Sequence, residues 1–262
     1  MKGKRTFSIT IFLLIIRFSL HAQETDSIYS YQETDSLSID QDQYKTQKIL
    51  KLVVPLAMLT YGAISTGNYK LRKLDYSIRN KLLDKNEMWY IKWDNYLQFS
   101  PAVAAFGMKL GGMKSTHKLS DMLILYTLSN ALESGIVYSS KQISFRERPD
   151  GSSHHSFPSG HTATAFVAAE FLHQEYKNQS VWISVGGYSM ATLVGMARIY
   201  NNRHWFSDVI AGAGIGILST KFVYWCYPYL HRLFYQKGKK NQSVIIPCYS
   251  NGNLGLTISW VF

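Results

Sequence analysis

Six stretches, at about residues 49–67, 98–113, 120–140, 160–174, 181–200 and 205–228, are apolar and carry at most two charged residues each. Runs of that length suit helices rather than strands. They predict an all-α chain, a six-helix bundle over residues 48–235. A membrane span needs ~20 apolar residues. Residues 181–197, uncharged throughout, come nearest, and the others are short or weak as spans. A mean hydropathy of −0.10 is low for six crossings. A bundle core partly sunk in a membrane fits equally well.

The flanks have other characters. Residues 1–22 pair a start bearing Lys2, Lys4 and Arg5 with an apolar stretch and end on Ala22, the pattern of a signal peptide. Arg17 interrupts that stretch, so a retained anchor is the alternative. Residues 23–47 are polar, with Glu24-Thr25-Asp26-Ser27 echoed by Glu33-Thr34-Asp35-Ser36, and read as a flexible linker. Between the first two apolar runs, Leu71, Leu74, Ile78 and Leu82 fall three to four apart among basic residues, an amphipathic helix. The aromatic and basic residues 88–93 follow, suited to a membrane interface or to packing on the bundle. The tail, residues 236–262, contains two β-like runs around Asn251-Gly252, a hairpin signal. Cys226 and Cys248 have no metal-ligand spacing, so no metal site is expected. Cys226 reads as a buried thiol.

Chemistry-bearing residues gather where apolar runs meet polar loops. The loop of residues 146–159 opens with Arg146 and Arg148 and closes on Pro158-Ser159-Gly160-His161, at the start of an apolar run. A helix start presents unpartnered N–H groups to an anion. Lys141 precedes the loop, and Arg198, His204 and Asp208 cluster between the last two runs. Singly, each has an ordinary reading: a solvated helix end, a capping serine, a surface pair at i, i+4. Together they meet the needs of phosphoryl transfer, which requires cationic positioning and in-line geometry.

In this reading Lys141, Arg148 and Arg198 cradle the phosphate, with the Ser159 and Gly160 backbone N–H groups and the Ser159 hydroxyl. Gly160 lets the chain come close. His204 is the nucleophile, with Asp208 accepting its second N–H and fixing the tautomer. His161 is the general acid. Opposite protonation states of the two histidines predict a bell-shaped pH–rate profile. His154 and His155 read as solvated loop residues.

Lys141…Arg148-Pro149, Pro158-Ser159-Gly160-His161 and Arg198…His204…Asp208 resemble the three-part signature of the type 2 phosphatidic acid phosphatase (PAP2) superfamily, which also holds bacterial acid phosphatases and vanadium haloperoxidases. The resemblance implies the six-helix bundle, a phosphohistidine on His204, and phosphatase chemistry with no metal and no cofactor. Ala197 stands where the family usually has Ser, so one hydroxyl contact to phosphate is missing. The short stretch between Pro149 and Pro158 leaves little room for a lid. Among members, the chain is similar to bacterial lipid phosphatases, most of all the lipid A 4′-phosphatase type.

A net charge of +11 favours anionic partners. No nucleic-acid-binding signature accompanies it, and no protein partner is evident. The expected substrate is a lipid phosphate at a membrane of the bacterial envelope, with the site facing the periplasm. If residues 113–118, 173–177 and 231–240 are cytoplasmic, the three motifs face outward. A cleaved leader conflicts with six crossings from a cytoplasmic start. Either one segment does not cross or the bundle is peripheral. An acid phosphatase for soluble esters, a non-catalytic binder of lipid phosphate and, more distantly, a haloperoxidase are the other readings.

Overall fold

The computed structural model describes residues 41–83, 92–237, 242–250 and 253–261. The chain divides into two compact units, Met1–Leu52 and Val53–Phe262. Of the first, residues 41–52 are described and are helical. The signal-peptide and linker readings fall on residues outside the described ones, except that α1 begins at Gln41, inside the stretch expected as linker.

In order, the helices are α1 (Gln41–Ser65), α2 (Tyr69–Leu83), α3 (Asp94–Leu97), α4 (Ser100–Leu110), α5 (Leu119–Ser144), α6 (Gly160–Tyr176), α7 (Val181–Tyr200) and α8 (Phe206–Lys237). Two strands, β1 (Gln242–Ser250) and β2 (Asn253–Val261), pair antiparallel with Gln242 opposite Val261. The described residues thus hold eight helices where six apolar runs stood out. The additional ones are the amphipathic α2 and the single turn α3.

α6 is the axis of the fold. It packs against α4, α5, α7 and α8. Ala163, Ala165, Ala168 and Ala169 are wholly buried along it. Its alanines leave room for close neighbours, and α8 exploits that room with glycine. A Cβ on Gly216 would lie 2.3 Å from the Ala163 carbonyl, and one on Gly212 would lie 2.5 Å from the Ser159 carbonyl. Only a residue without a side chain allows such an approach. It brings the start of α8 beside the start of α6, which is where the chemistry-bearing residues stand.

The other end of α6 carries buried carboxylates, each of them partnered. Glu170 takes an ion pair from Lys221 at 2.8 Å and hydrogen bonds from Gln174 and Tyr188. Glu175 accepts from the Tyr224 hydroxyl at 2.5 Å and the His117 backbone N–H at 3.0 Å, and lies 2.9 Å from His117 Nδ1. Burial of charge is tolerated only with such compensation. These bonds fasten the α4–α5 connection to the base of α6.

Among the described residues, Phe206–Tyr229 is the one helical segment long and apolar enough to cross a membrane. That corrects the expectation for residues 181–197, an uncharged stretch that Arg198 closes short of a span. Much of Phe206–Tyr229 is buried in the bundle. α7 does turn large apolar side chains outward, with Trp182 77% and Met196 58% exposed. Cys226, expected to be buried, is a half-buried free thiol.

Candidate active site

Phe145 ends α5 with a left-handed φ of 46° and turns the chain into the loop of residues 146–159. That loop is pinned by its own bonds. The Arg148 N–H donates to the Ser153 carbonyl and the Ser156 N–H to the Arg146 carbonyl, both at 2.9 Å. The Asp150 carboxylate accepts from the Ser152 N–H and hydroxyl at 3.0 and 2.7 Å. The short loop is therefore a fixed platform.

Arg146 does not serve as a free cation. It is buried, 2.6 Å from Asp75 of α2 and 2.6 Å from Asp208 of α8. It also donates to the Ser207 hydroxyl at 2.8 Å. Asp75 accepts from the Ser207 N–H at 2.9 Å and its hydroxyl at 2.7 Å. The Trp205 ring lies 5.7 Å from the Arg146 guanidinium, and its indole N–H donates to the Glu147 carbonyl. α2 is thus a strut beneath the motif that carries His204. Its inner stripe differs from the expected one, since Leu74 is exposed and Asp75 is buried.

His204 is buried at the start of α8, and its Nδ1 lies 2.8 Å from the Ser156 carbonyl. A carbonyl only accepts, so Nδ1 carries the proton and Nε2 of the neutral ring keeps its lone pair. Asp208 was expected in that role, but its carboxylate is 3.9 Å from Nδ1, too far for a hydrogen bond. Asp208 instead accepts from the Ser156 hydroxyl at 2.5 Å and the Trp205 N–H at 3.0 Å. It holds the loop that holds the ring, and its nearby charge favours the imidazolium.

Ser159 also differs from expectation. The Ser159 N–H donates to the Asp208 carbonyl at 3.0 Å, so it is committed within the fold. The Ser159 hydroxyl pairs with that of Thr162 at 2.9 Å in a wholly buried position. Helix packing, rather than an anion, engages both groups. A Cβ at Gly160 would meet only Val137, at an ordinary 3.7 Å, so the protein itself does not demand glycine there.

The expected cations do converge. Arg198, in the last turn of α7, is buried and held at 2.8 Å by Asp94 of α3. Lys141 Nζ, in the last turn of α5, donates to the His155 carbonyl at 2.8 Å. His155 therefore contributes through its backbone, while its ring leans on Phe145. Nε of Arg148 and of Arg198 is buried with no partner among the described residues. Unmade guanidinium bonds of this kind are costly, and a phosphate oxygen would satisfy them.

Electrostatics bind the set together. Burial first, then the Arg148 and Arg198 charges, lower Lys141 to about 8, against the opposing pull of Asp208 and Glu133. Burial, then Lys141 and Arg198, hold His204 down to about 4 although Asp208 pulls it up. His161 is lowered to about 4 by burial and by Arg198, Lys141 and Arg148, with Asp94 opposing. His204 is thus neutral near pH 7, as a nucleophile must be. His161 is neutral as well, so the expected opposition of protonation states does not exist in the ligand-free site. A phosphate dianion bound there would favour the protonated ring.

Asp75, Asp94, Asn95, Ser156 and Ser207 were not singled out in the sequence. Asn95 Oδ1 lies 2.8 Å from His161 Nε2. Asp75 did leave a signal, an acid on the same helical face as Leu71, Ile78 and Leu82. Asp94 and Asn95 left none. Among the described residues no group of three His, Cys, Asp or Glu side chains could hold a metal ion.

Two histidines and three cations thus gather at one end of the helical bundle. Residues 122–232 match the family model of the PAP2 superfamily. The chain is 42% identical over 153 residues to a lipid A 1-phosphatase of Porphyromonas gingivalis, covering 58% of this chain and 34% of that relative. A lipid A 4′-phosphatase of the same organism is 32% identical over 75 residues, covering 29% of this chain and 31% of the relative. The chain thus spans about a third of the length of these two relatives. A transmembrane PAP2-type phosphatidylglycerolphosphate phosphatase from Bacillus subtilis superposes with a TM-score of 0.49 at 20% identity, over 68% of this chain and 98% of that one.

Proposed function

We propose that this protein is a phosphomonoesterase of the bacterial envelope that removes phosphate from a lipid, lipid A or a related one, through a phosphohistidine on His204. The observation that carries the reading is the Nδ1 contact of His204 with the Ser156 carbonyl, at 2.8 Å. It leaves Nε2 as a buried lone pair in a field set by Lys141 and Arg198.

In the first step His204 Nε2 bonds to phosphorus and the ester P–O bond breaks. Its electron pair leaves on the lipid oxygen, which takes a proton from His161. In the second step a water molecule gives its proton to His161 and attacks the phosphohistidine, releasing inorganic phosphate and restoring His204. Lys141, Arg148 and Arg198 neutralise charge on the equatorial oxygens. They supply the cationic stabilisation, so turnover should persist in a chelator.

Three features support a lipid substrate at a membrane: the outward apolar residues of α7, the basic amphipathic α2 and the leader-like residues 1–22. We place the helical bundle at the membrane with its motif-bearing end on the periplasmic side and the C-terminal hairpin outside the catalytic part. The 1-phosphatase match is the longer and the more identical of the two lipid A matches, so the 1-position is the first to test.

The test is mass spectrometry of lipid A from cells with and without the gene, beside phosphate release by the purified protein from lipid A and from a short-chain ester. Loss of one phosphate, abolished by His204→Ala, is the expected result. Turnover that survives His204→Ala overturns the mechanism. Turnover of the short ester alone identifies a soluble-substrate phosphatase, and binding without turnover identifies a non-catalytic phosphate binder.

A further inference from the structure

We infer that Asn95 is a positioning residue for His161, fixing which ring nitrogen faces the leaving oxygen; the inference rests on the general-acid role proposed above. Asn95 belongs to α3, a single turn far from the signature motifs in sequence. Its side-chain Oδ1 lies 2.8 Å from His161 Nε2, across 66 positions of chain. An amide oxygen accepts and does not donate. The neutral ring therefore carries its proton on Nε2, and Nδ1 holds the lone pair. On protonation the new proton enters at Nδ1. That is the atom left to give it to the departing lipid oxygen and to take it back from water.

The placement of Asn95 is built from beneath. Its neighbour Asp94 is buried and clamps Arg198 at 2.8 Å. Gln98, also buried, donates from Nε2 to the Asn95 backbone carbonyl at 2.7 Å. One turn of helix thus holds a phosphate-binding arginine with one residue and the acid with the next. The two histidines have parallel supports, a backbone carbonyl for His204 and an amide oxygen for His161.

A neutral partner suits an acid that must give up its proton. The charged groups acting on His161 are Arg198 from α7, Lys141 from α5, Arg148 from the loop, and Asp94 from α3. Cations outnumber the single carboxylate, so the proton is readily released. A carboxylate at position 95 would make a charge-assisted bond to the imidazolium and retain the proton.

The test uses the full chain in detergent micelles and compares wild type with Asn95→Ala and Asn95→Asp. Nitrogen NMR of the His161 ring should show the Nε2–H tautomer in wild type and a tautomer mixture in Asn95→Ala. The His161 titration midpoint should rise by about one pH unit or more in Asn95→Asp, the size expected for a carboxylate neighbour. In kinetics, Asn95→Ala should lower kcat about tenfold with KM changed less than about twofold, part of the usual general-acid contribution. Asn95→Asp should move the alkaline limb of kcat upward. An unchanged tautomer in Asn95→Ala with an unmoved midpoint in Asn95→Asp overturns the inference. So does a fall in kcat with no change in ring state or pH profile, which marks a merely structural residue. The ring measurements need no substrate, so a wild-type protein without phosphatase activity would refute the functional reading and still leave the Asn95–His161 link decided.

Discussion

At the scale of single residues, the site runs on neutral imidazoles among cations. Burial and neighbouring cations hold His204 down to about 4, so under the proposed mechanism kcat/KM should fall as pH drops toward 4 and its lone pair is protonated. The pH–rate profile of the purified protein checks this. The same depression has a thermodynamic sign. Both histidines are held below their ordinary value of 6.5, so the unfolded chain binds more protons than the folded one between about 6.5 and 4. Their contribution to stability is full above that window and declines as pH falls through it. Thermal unfolding midpoints taken across the window should drop on the acid side, and less so in His204→Gln. The gathering of Lys141, Arg148, Arg198, His161 and His204 was legible because charged residues at the ends of apolar runs stand out. Their supports were not. Ser156 acts through its carbonyl and hydroxyl, and a backbone acceptor leaves no mark in composition. Asp208 was readable as a partner of His204, yet i, i+4 spacing does not say whether the carboxylate reaches the ring or the loop around it.

At the scale of elements, the supports come from two helices outside the signature. α2 contributes Asp75, and α3 contributes Asp94 and Asn95. Asp75→Ala strands Arg146 with half of its compensation gone, and breaking a buried pair costs ~3–5 kcal/mol. A matching loss in chemical denaturation, together with loss of activity, is expected. Asp94→Asn should act differently, raising KM more than it lowers kcat, because it loosens the arginine proposed to bind phosphate without touching the proposed nucleophile; steady-state kinetics separate the two effects. Periodicity placed the amphipathic helix but rotated its inner face, counting Leu74 where Asp75 turns inward. An acid on an apolar stripe is ambiguous until its arginine is known, and that arginine lies in another segment. Gly216→Ala should destabilise by ~1–3 kcal/mol or more, since its methyl would meet a backbone carbonyl that has no room to move.

At the scale of the whole molecule, the apolar runs made the helical class plain, while their lengths left membrane engagement open. α8 shows why. Among the described helices it alone is long and apolar enough to span, yet its glycines bury it against α6, whereas exposed large apolar residues lie on α1, α4, α5 and α7. Hydropathy weighs a helix all round and does not say which side meets a neighbour. Polar substitution on the outer face of α7, Trp182→Ser with Met196→Ser, should lower partition into lipid vesicles and turnover of micellar lipid several-fold. Turnover of a short-chain phosphate ester should be unaffected.

The bond from the Ser159 N–H to the Asp208 carbonyl carries a consequence for anyone recombining such chains. Asp208 is clasped on its backbone by one motif loop and on its carboxylate by Ser156 and Arg146 of the same loop. Residues 146–159 and 204–208 are therefore one unit of inheritance. A chimera that imports the first from another parent and keeps the second would mismatch the clasp, and grafts should carry both together.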